Sequence, residues 1–344
     1  MSFEKTSILF LGATGYIGGS VLARLLEHPN AETFDITIFL RDVKKAGIAE
    51  SKFGLKAVVG TLAEEDKIES LAEGAHVVFS CSVNAILCGL RKRHATIGDL
   101  PILIHTSGTG VLRDTAKGMY ATDTIYDDTN ADQIEALPDA QLHREIDVTI
   151  VEADKQGYLK TYIVLPSTIY GRPVNPLVEA GFQKTVSIQI PALIRASIAR
   201  GQSGVVGKGL AIWPSVDNEE VADLYIKLFD SVVANPDQVG HGREGYFFGE
   251  SGEHTWGDIS KAIGKALVEL GHGKDEEPTT FTPGELVKYF GSEVNGNSLG
   301  SNSRCRGNRS RSLGWKPKKT TQDMLASVKP EVERILEALG QSQK

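Results

Sequence analysis

Apolar positions along the chain fall into short unbroken runs separated by stretches of helical period. The first run, Ile8-Leu-Phe-Leu11, is too continuously apolar for a strand with one wet face, so it predicts a central strand of a parallel sheet covered on both sides. Further strands are predicted at Asp35–Leu40, Leu55–Val59, His76–Ser80, Pro101–His105, Thr161–Leu165 and Gly245–Gly249. Between them, Ile17, Val21, Leu22, Leu25 and Leu26 recur at helical spacing up to Pro29 and Asn30. Ile68 and Leu71, then Ile86, Leu87, Leu90 and Arg91, mark the next helices, and Leu142–Gln156 another. Strands alternating with helices give an α/β chain with a doubly wound parallel sheet.

The first strand and helix are joined by Gly12-Ala-Thr-Gly-Tyr-Ile-Gly18, with Thr14 as the expected helix N-cap. Glycines at this spacing let backbone approach a phosphate, and the free N–H groups and positive dipole end of the helix face it. A pattern of this kind carries weight only between a strand and a helix, and here it has that context. The expected dinucleotide contacts are Gly12, Thr14, Gly15, Tyr16, Ile17 and Gly18.

The same residues resemble the nucleotide loop of the extended and atypical short-chain dehydrogenase/reductases, which include NAD-dependent epimerases/dehydratases and NmrA-like proteins. The resemblance implies a Rossmann domain with a smaller, interleaved C-terminal substrate lobe. It is strengthened by Pro166-Ser-Thr-Ile-Tyr-Gly171, similar to a family segment whose backbone passes the nicotinamide, and by Leu313-Gly-Trp-Lys-Pro317, similar to a closing element. Residues 1–171, completed by about 204–249, are assigned to the Rossmann domain; 172–203 and 250–344 form the lobe.

In a Rossmann unit the end of the second strand meets the adenosine ribose, where an acid suits a free 2′-hydroxyl and an arginine a 2′-phosphate. Arg41 stands there, followed by Asp42, Lys44 and Lys45, so NADP(H) is favoured over NAD(H), with Asp42 as ribose partner the alternative. Thr61 and Leu62 are expected beside the adenine, Thr61 replacing the aspartate usual in relatives. Small residues at Cys81-Ser82-Val-Asn84 leave room for the cofactor, with Ser82 a contact and Cys81 a buried filler; Pro166 and Thr168 complete the set.

For chemistry, the resemblance implies that Ser107 orients a substrate carbonyl; the alternative is that Ser107 and Thr109 bond only turn backbone. The family's Tyr-x-x-x-Lys pair is missing, because the matching stretch reads His143-Arg-Glu-Ile-Asp147. Direct replacement would make His143 the proton donor and Asp147 a ribose acceptor, the two sharing a helix face at i and i+4; the alternative is a helix-stabilising pair or a non-catalytic buried histidine. The long polar stretch from Gly110 to Pro138, with Tyr120 and Tyr126, is expected to cover part of the site. Gly204–Trp213 and Val216–Phe229 are expected to return to the main domain as strand and helix, with Asp217 where relatives carry histidine.

Composition sets outer bounds. The 344 residues carry a net charge of -7, which argues for a small-molecule ligand over nucleic acid. Three cysteines are too few and wrongly spaced for a zinc site or a disulfide framework, so no metal is expected. With no leader-like start and no apolar run long enough to span a bilayer, the expectation is a cytoplasmic protein with no membrane partner; the family allows a homodimer. Arg304, Arg306, Arg309, Arg311, Lys316, Lys318 and Lys319 form a basic stretch, expected as a solvated face or an anion site. The leading expectation is an NADP(H)-dependent oxidoreductase acting on a small carbonyl or alcohol. Alternatives are a nucleotide-sugar epimerase or dehydratase, and an NmrA-like NADP(H)-binding redox sensor without turnover.

Overall fold

The computed structural model describes residues 5–80 and 82–341; Cys81, expected as a buried filler, lies outside the described residues. Its centre is a seven-stranded sheet of β1 (Thr6–Leu11), β2 (Phe34–Leu40), β3 (Lys56–Val59), β4 (Val77–Ser80), β5 (Ile102–Thr106), β6 (Lys160–Pro166) and a strand at Tyr246–Gly249. The order is Tyr246–Gly249, β6, β5, β4, β1, β2, β3, and every pairing is parallel. Strand order reverses between β1 and β4, and ligands of doubly wound sheets bind beyond the carboxyl ends at such a point.

Alternation along β1 explains why its run is unbroken. Ile8 and Phe10 point into one apolar cluster, Leu9 and Leu11 into the other, so both faces of the strand are dry. The first cluster is closed by α1 (Tyr16–Leu26) and α2 (Val43–Phe53), the second by α3 (Glu65–Glu73), α4 (Asn84–Ile97) and α5 (Arg144–Lys155).

Beyond β6 the chain leaves the main sheet. A three-stranded sheet joins β7 (Thr168–Tyr170), β8 (Ile212–Asp217) and β9 (Gly252–Thr255). The strand expected within Gly204–Trp213 on return to the main domain begins at Ile212 instead, and it pairs with β7 and β9, not with the seven-stranded sheet. The following helix, α7 (Asn218–Ala234), packs on α1 and buries Val221, Leu224, Leu228 and Val232 in the first cluster. The lobe's own core gathers around α6 (Gln189–Arg200), α8 (Trp256–Glu269) and α9 (Val328–Gln341), with Trp213 and Trp256 edge to face at 5.8 Å. Among the described residues, no helix is long and apolar enough to cross a membrane.

Candidate active site

The cleft begins where β1 ends. Gly12 sits at φ +82°, a left-handed conformation that disfavours side chains, and its carbonyl accepts from Gly15 N–H at 2.8 Å. A Cβ on Gly18 would lie 2.3 Å from that same carbonyl, so α1 can seat against the turn only without one. The N-cap is Gly15, not Thr14: Thr14 makes no side-chain cap, and its carbonyl instead accepts from Lys184 N–H. The first helical N–H groups, at Tyr16, Ile17 and Gly18, are left without intrahelical partners beside the cleft. Such a cradle fits a dinucleotide pyrophosphate.

A polar clasp that no sequence motif announces holds this turn to the Gly171 carbonyl, to Gln183 in the segment after it and to the start of α7. Tyr16 Oη donates to the Gly171 carbonyl, and the Tyr16 carbonyl accepts from Gln183 Nε2 and Asn218 Nδ2, each at 3.0 Å. Buried Ser20 links Gln183 to Asn218. Gly19 has no room for a side chain because Gln183 lies over it.

At the far side of the nucleotide region, Arg41 lies exposed just after β2. Asp42 is occupied as the N-cap of α2, accepting from Lys44 and Lys45 N–H, while the Lys45 ammonium reaches the Phe182 carbonyl. Thr61 and Leu62 are exposed in the turn after β3. The backbone of Ser82 is tied to the Ser80 hydroxyl, and it is Ser80 that lines the cleft.

The cleft has a volume of about 580 Å³ and runs from the glycine turn to Ser107 and His143. Its walls continue through Pro166, Ser167 and Ile169 to Val186, Ile188 and Trp213, and none of the lining residues is an Asp, Glu, Lys or Arg. Thr168 is fully buried and outside that lining, as the two-residue period of β7 requires with Ser167 and Ile169 facing the cleft. At the cleft's floor the Thr106 and Tyr225 hydroxyls lie 2.8 Å apart.

The reactive end differs from expectation. Ser107 Oγ donates to Asp147 Oδ2 at 3.0 Å, so its hydroxyl is not spent on turn backbone. Asp147, expected as a ribose acceptor, is fully buried behind Ser107 and is not among the residues lining the cleft. Burial pushes its carboxyl up to about 7, against the opposing pull of the Ser107 hydrogen bond and the Arg144 charge. His143 occupies the N-cap of α5 at φ +69°, an uncommon conformation for a residue with a side chain. Burial, and then the Arg113 charge, lower its pKa, so the imidazole is neutral near pH 7. The Asp147 N–H donates to the His143 carbonyl at 3.1 Å, but among the described residues no side-chain hydrogen bond or ion pair joins the two. The side-chain partner of Asp147 is therefore Ser107, not the His143 that shares its helix face, and the histidine beside them is neutral.

One other expectation changes. Beyond Gly110, residues up to Pro138 contribute nothing to the cleft wall. They run along the C-terminal segment instead: Asp114 binds Asn302, and Tyr126–Asp127 pairs in parallel with Cys305–Arg306. The basic stretch is a solvated face in part, Arg311, Lys316, Lys318 and Lys319 being exposed, but four of its cations are ion-paired: Arg304 and Arg306 with Glu253, Arg311 with Glu250 and Lys319 with Asp217. Acids distant in sequence thus meet those cations. Asp217, standing at the relatives' histidine, is the N-cap of α7.

Comparison with known proteins fits this geometry. Residues 4–93 match the model of the NmrA-like family. Oxidase ucsJ from Acremonium sp is 28% identical over 366 aligned residues, covering 97% of this chain and 99% of that protein. Among solved structures, UDP-glucose 4-epimerase of Thermotoga maritima with UDP-glucose superposes with a TM-score of 0.62 at 14% identity, covering 97% of this chain and all of the other. The dTDP-glucose 4,6-dehydratase of Bacillus anthracis in complex with NAD gives 0.61 at 14% identity, covering 96% and 97%. The chain is thus similar to known proteins at two levels, a match to the NmrA-like family model over residues 4–93 and a whole-chain fold shared with the epimerase and dehydratase structures.

Proposed function

We propose that the protein is an NADP(H)-dependent oxidoreductase acting on a small, uncharged carbonyl or alcohol. The observation that carries this reading is one continuous cleft joining the glycine cradle to a serine and a neutral histidine. Gly12, Gly15 and Gly18 would admit the pyrophosphate to the N–H groups of α1, with Tyr16 and Ile17 beside it. Arg41 would meet the 2′-phosphate, Thr61 and Leu62 the adenine, and the Pro166 backbone the nicotinamide. When bound, the nicotinamide supplies or accepts hydride at its C4. Ser107 and His143 hold the substrate oxygen by hydrogen bonding, and the apolar walls exclude water from it.

The oxidase-named relative, similar over its whole length, supports redox chemistry. The nucleotide-sugar alternative is weakened, because four of the seven cations of the basic stretch are ion-paired and the cleft wall has no cation to meet a diphosphate. A sensor without turnover is favoured by the missing Tyr-x-x-x-Lys pair. Cytoplasmic residence and a homodimer belong to the same reading, checked by cell fractionation and sedimentation.

Titration of NADPH and NADH, followed by a screen of uncharged aldehydes and ketones, tests the proposal. Tighter NADPH binding with turnover is expected. Equal affinities would overturn the cofactor preference, and tight binding with no turnover across the screen would replace the enzyme with the sensor.

A further inference from the structure

Asp147 reaches the cleft through one atom only, the Ser107 oxygen. Its Oδ2 accepts from that hydroxyl, and its Oδ1 is buried without a hydrogen-bond partner. A carboxylate held this way is poorly compensated, because a buried charge needs several hydrogen bonds or a directly paired cation. The groups facing it are few. From its own helix, the Arg144 guanidinium is directed to the Tyr246 hydroxyl at 3.4 Å and the Glu135 carbonyl at 3.0 Å. Tyr246 faces it from the edge strand of the main sheet, and Ser107 from the end of β5. His143 precedes it by one turn and lies over Gly108 and Gly110 on the cleft side.

We propose that Asp147 is the proton store of this site, and that its protonation state decides whether Ser107 presents a donor or an acceptor to the substrate oxygen. With Asp147 ionised, the only hydroxyl proton of Ser107 points inward, and lone pairs alone face the cleft. That state accepts from the O–H of an alcohol. With Asp147 protonated, the carboxyl O–H donates to Ser107 Oγ, freeing the serine proton to point into the cleft. This second state donates to a carbonyl. Burial holds the carboxyl near neutrality, so both states are populated there, and the neutral His143 does not compete as the acid.

On the oxidoreductase reading, on which this part rests, reduction balances as follows. Hydride from the reduced nicotinamide forms the new C–H bond, and the carbonyl π pair takes the Ser107 proton. Ser107 takes the proton of Asp147, which is left as a carboxylate. The products are the alcohol and the oxidised dinucleotide, and solvent returns one proton to Asp147. Oxidation runs the same transfers backwards. Asp147 is thus a positioning residue acting through Ser107, which stands where the missing tyrosine's proton would have been needed.

The first test needs neither cofactor nor substrate. Carbon-13 NMR of Asp-labelled full-length protein is expected to show one carboxyl titrating near pH 7, absent in Asp147→Asn. Ser107→Ala, which removes the hydrogen bond favouring the charged form, should move that titration upward. A spectrum with no such carboxyl between pH 6 and 8, or one unmoved by Ser107→Ala, overturns the store. The second test is the pH profile of the saturated enzyme with an uncharged ketone and its alcohol. Reduction should fall about tenfold per pH unit above the Asp147 pKa, and oxidation about tenfold per unit below it. Both slopes should vanish in Asp147→Asn and persist in Ser107→Thr; slopes that survive Asp147→Asn would defeat the proposal. Should nothing turn over, the oxidoreductase reading fails, while the NMR result still decides the store.

Discussion

The two ends of the cleft are built by different means. At the glycine-turn end the groups facing the cleft are backbone N–H, positioned by a left-handed glycine and a helix start within seven consecutive residues, 12–18. At the reactive end, Ser107 and Asp147 are forty positions apart, and their 3.0 Å contact exists only because α5 docks beside β5. The first arrangement is local and tolerates little change in the main chain. The second is tertiary, and its chemistry depends on burial.

Breaking the local end should have the largest effect. Gly18→Val places a side chain against the Gly12 carbonyl, already 2.3 Å from where a Cβ would be, and should fail to give folded protein by circular dichroism. Gly15→Val has an ordinary φ of -75° and a looser 3.0 Å approach, so it should fold yet lose dinucleotide binding by calorimetry. Unchanged affinity in folded Gly15→Val would put the phosphates elsewhere.

Arg41→Ala comes next. Removing a charge-assisted contact to a 2′-phosphate should weaken NADPH by roughly 10- to 100-fold, in line with about 1.5–3 kcal/mol for a hydrogen bond to a charged group, and leave NADH unchanged. Equal losses would remove Arg41 from the cofactor site.

At the tertiary end the readout is stability. Asp147 has a folded pKa of about 7, above its unfolded value, so its neutral form stabilises the fold fully below about pH 4. That contribution is lost as pH rises from about 4 to about 7. Chemical denaturation should show it as a few kcal/mol at most, on the order of 1.4 kcal/mol per pKa unit, and Asp147→Asn should flatten the curve. A parent curve that is already flat with respect to this substitution would mean the carboxyl is ionised throughout.

The smallest effect belongs to His143. At φ +69° a β-branched residue is disfavoured, so His143→Val should be less stable than His143→Gly by about 1–3 kcal/mol, measured by urea melts. Equal stabilities would mean that the turn relaxes when the imidazole is removed.

This contrast also accounts for what can be read from residues alone. The parallel sheet is legible because doubly buried strands leave unbroken apolar runs, and the cradle because glycine spacing reports backbone geometry directly. Ser107 is found through the family position of its strand end. Asp147 stands out in the sequence but its partner Ser107 does not, because helical periodicity puts Asp147 on a face with His143 and does not say which neighbour that face meets. Thr14 fails as a cap for a similar reason, since Gly15 takes the position and Lys184 binds the Thr14 carbonyl. The basic stretch looks unpaired in the sequence because its acids, Glu250, Glu253 and Asp217, lie about fifty to a hundred positions earlier. The one signal for the clasp, polar Ser20 within an apolar helix face, says nothing about Gln183 or Asn218.

That clasp makes the dinucleotide turn and the lobe mechanically one piece. Gln183 and Asn218 both grip the Tyr16 carbonyl, one residue into the helix whose N–H groups would meet phosphate. A ligand that tightens the turn must therefore also quiet Asn175, Gln183 and the start of α7, so amide hydrogen exchange in the lobe should slow when nucleotide alone is added. Substrate would then meet walls already set by the cofactor, an order of assembly written into three buried amide side chains.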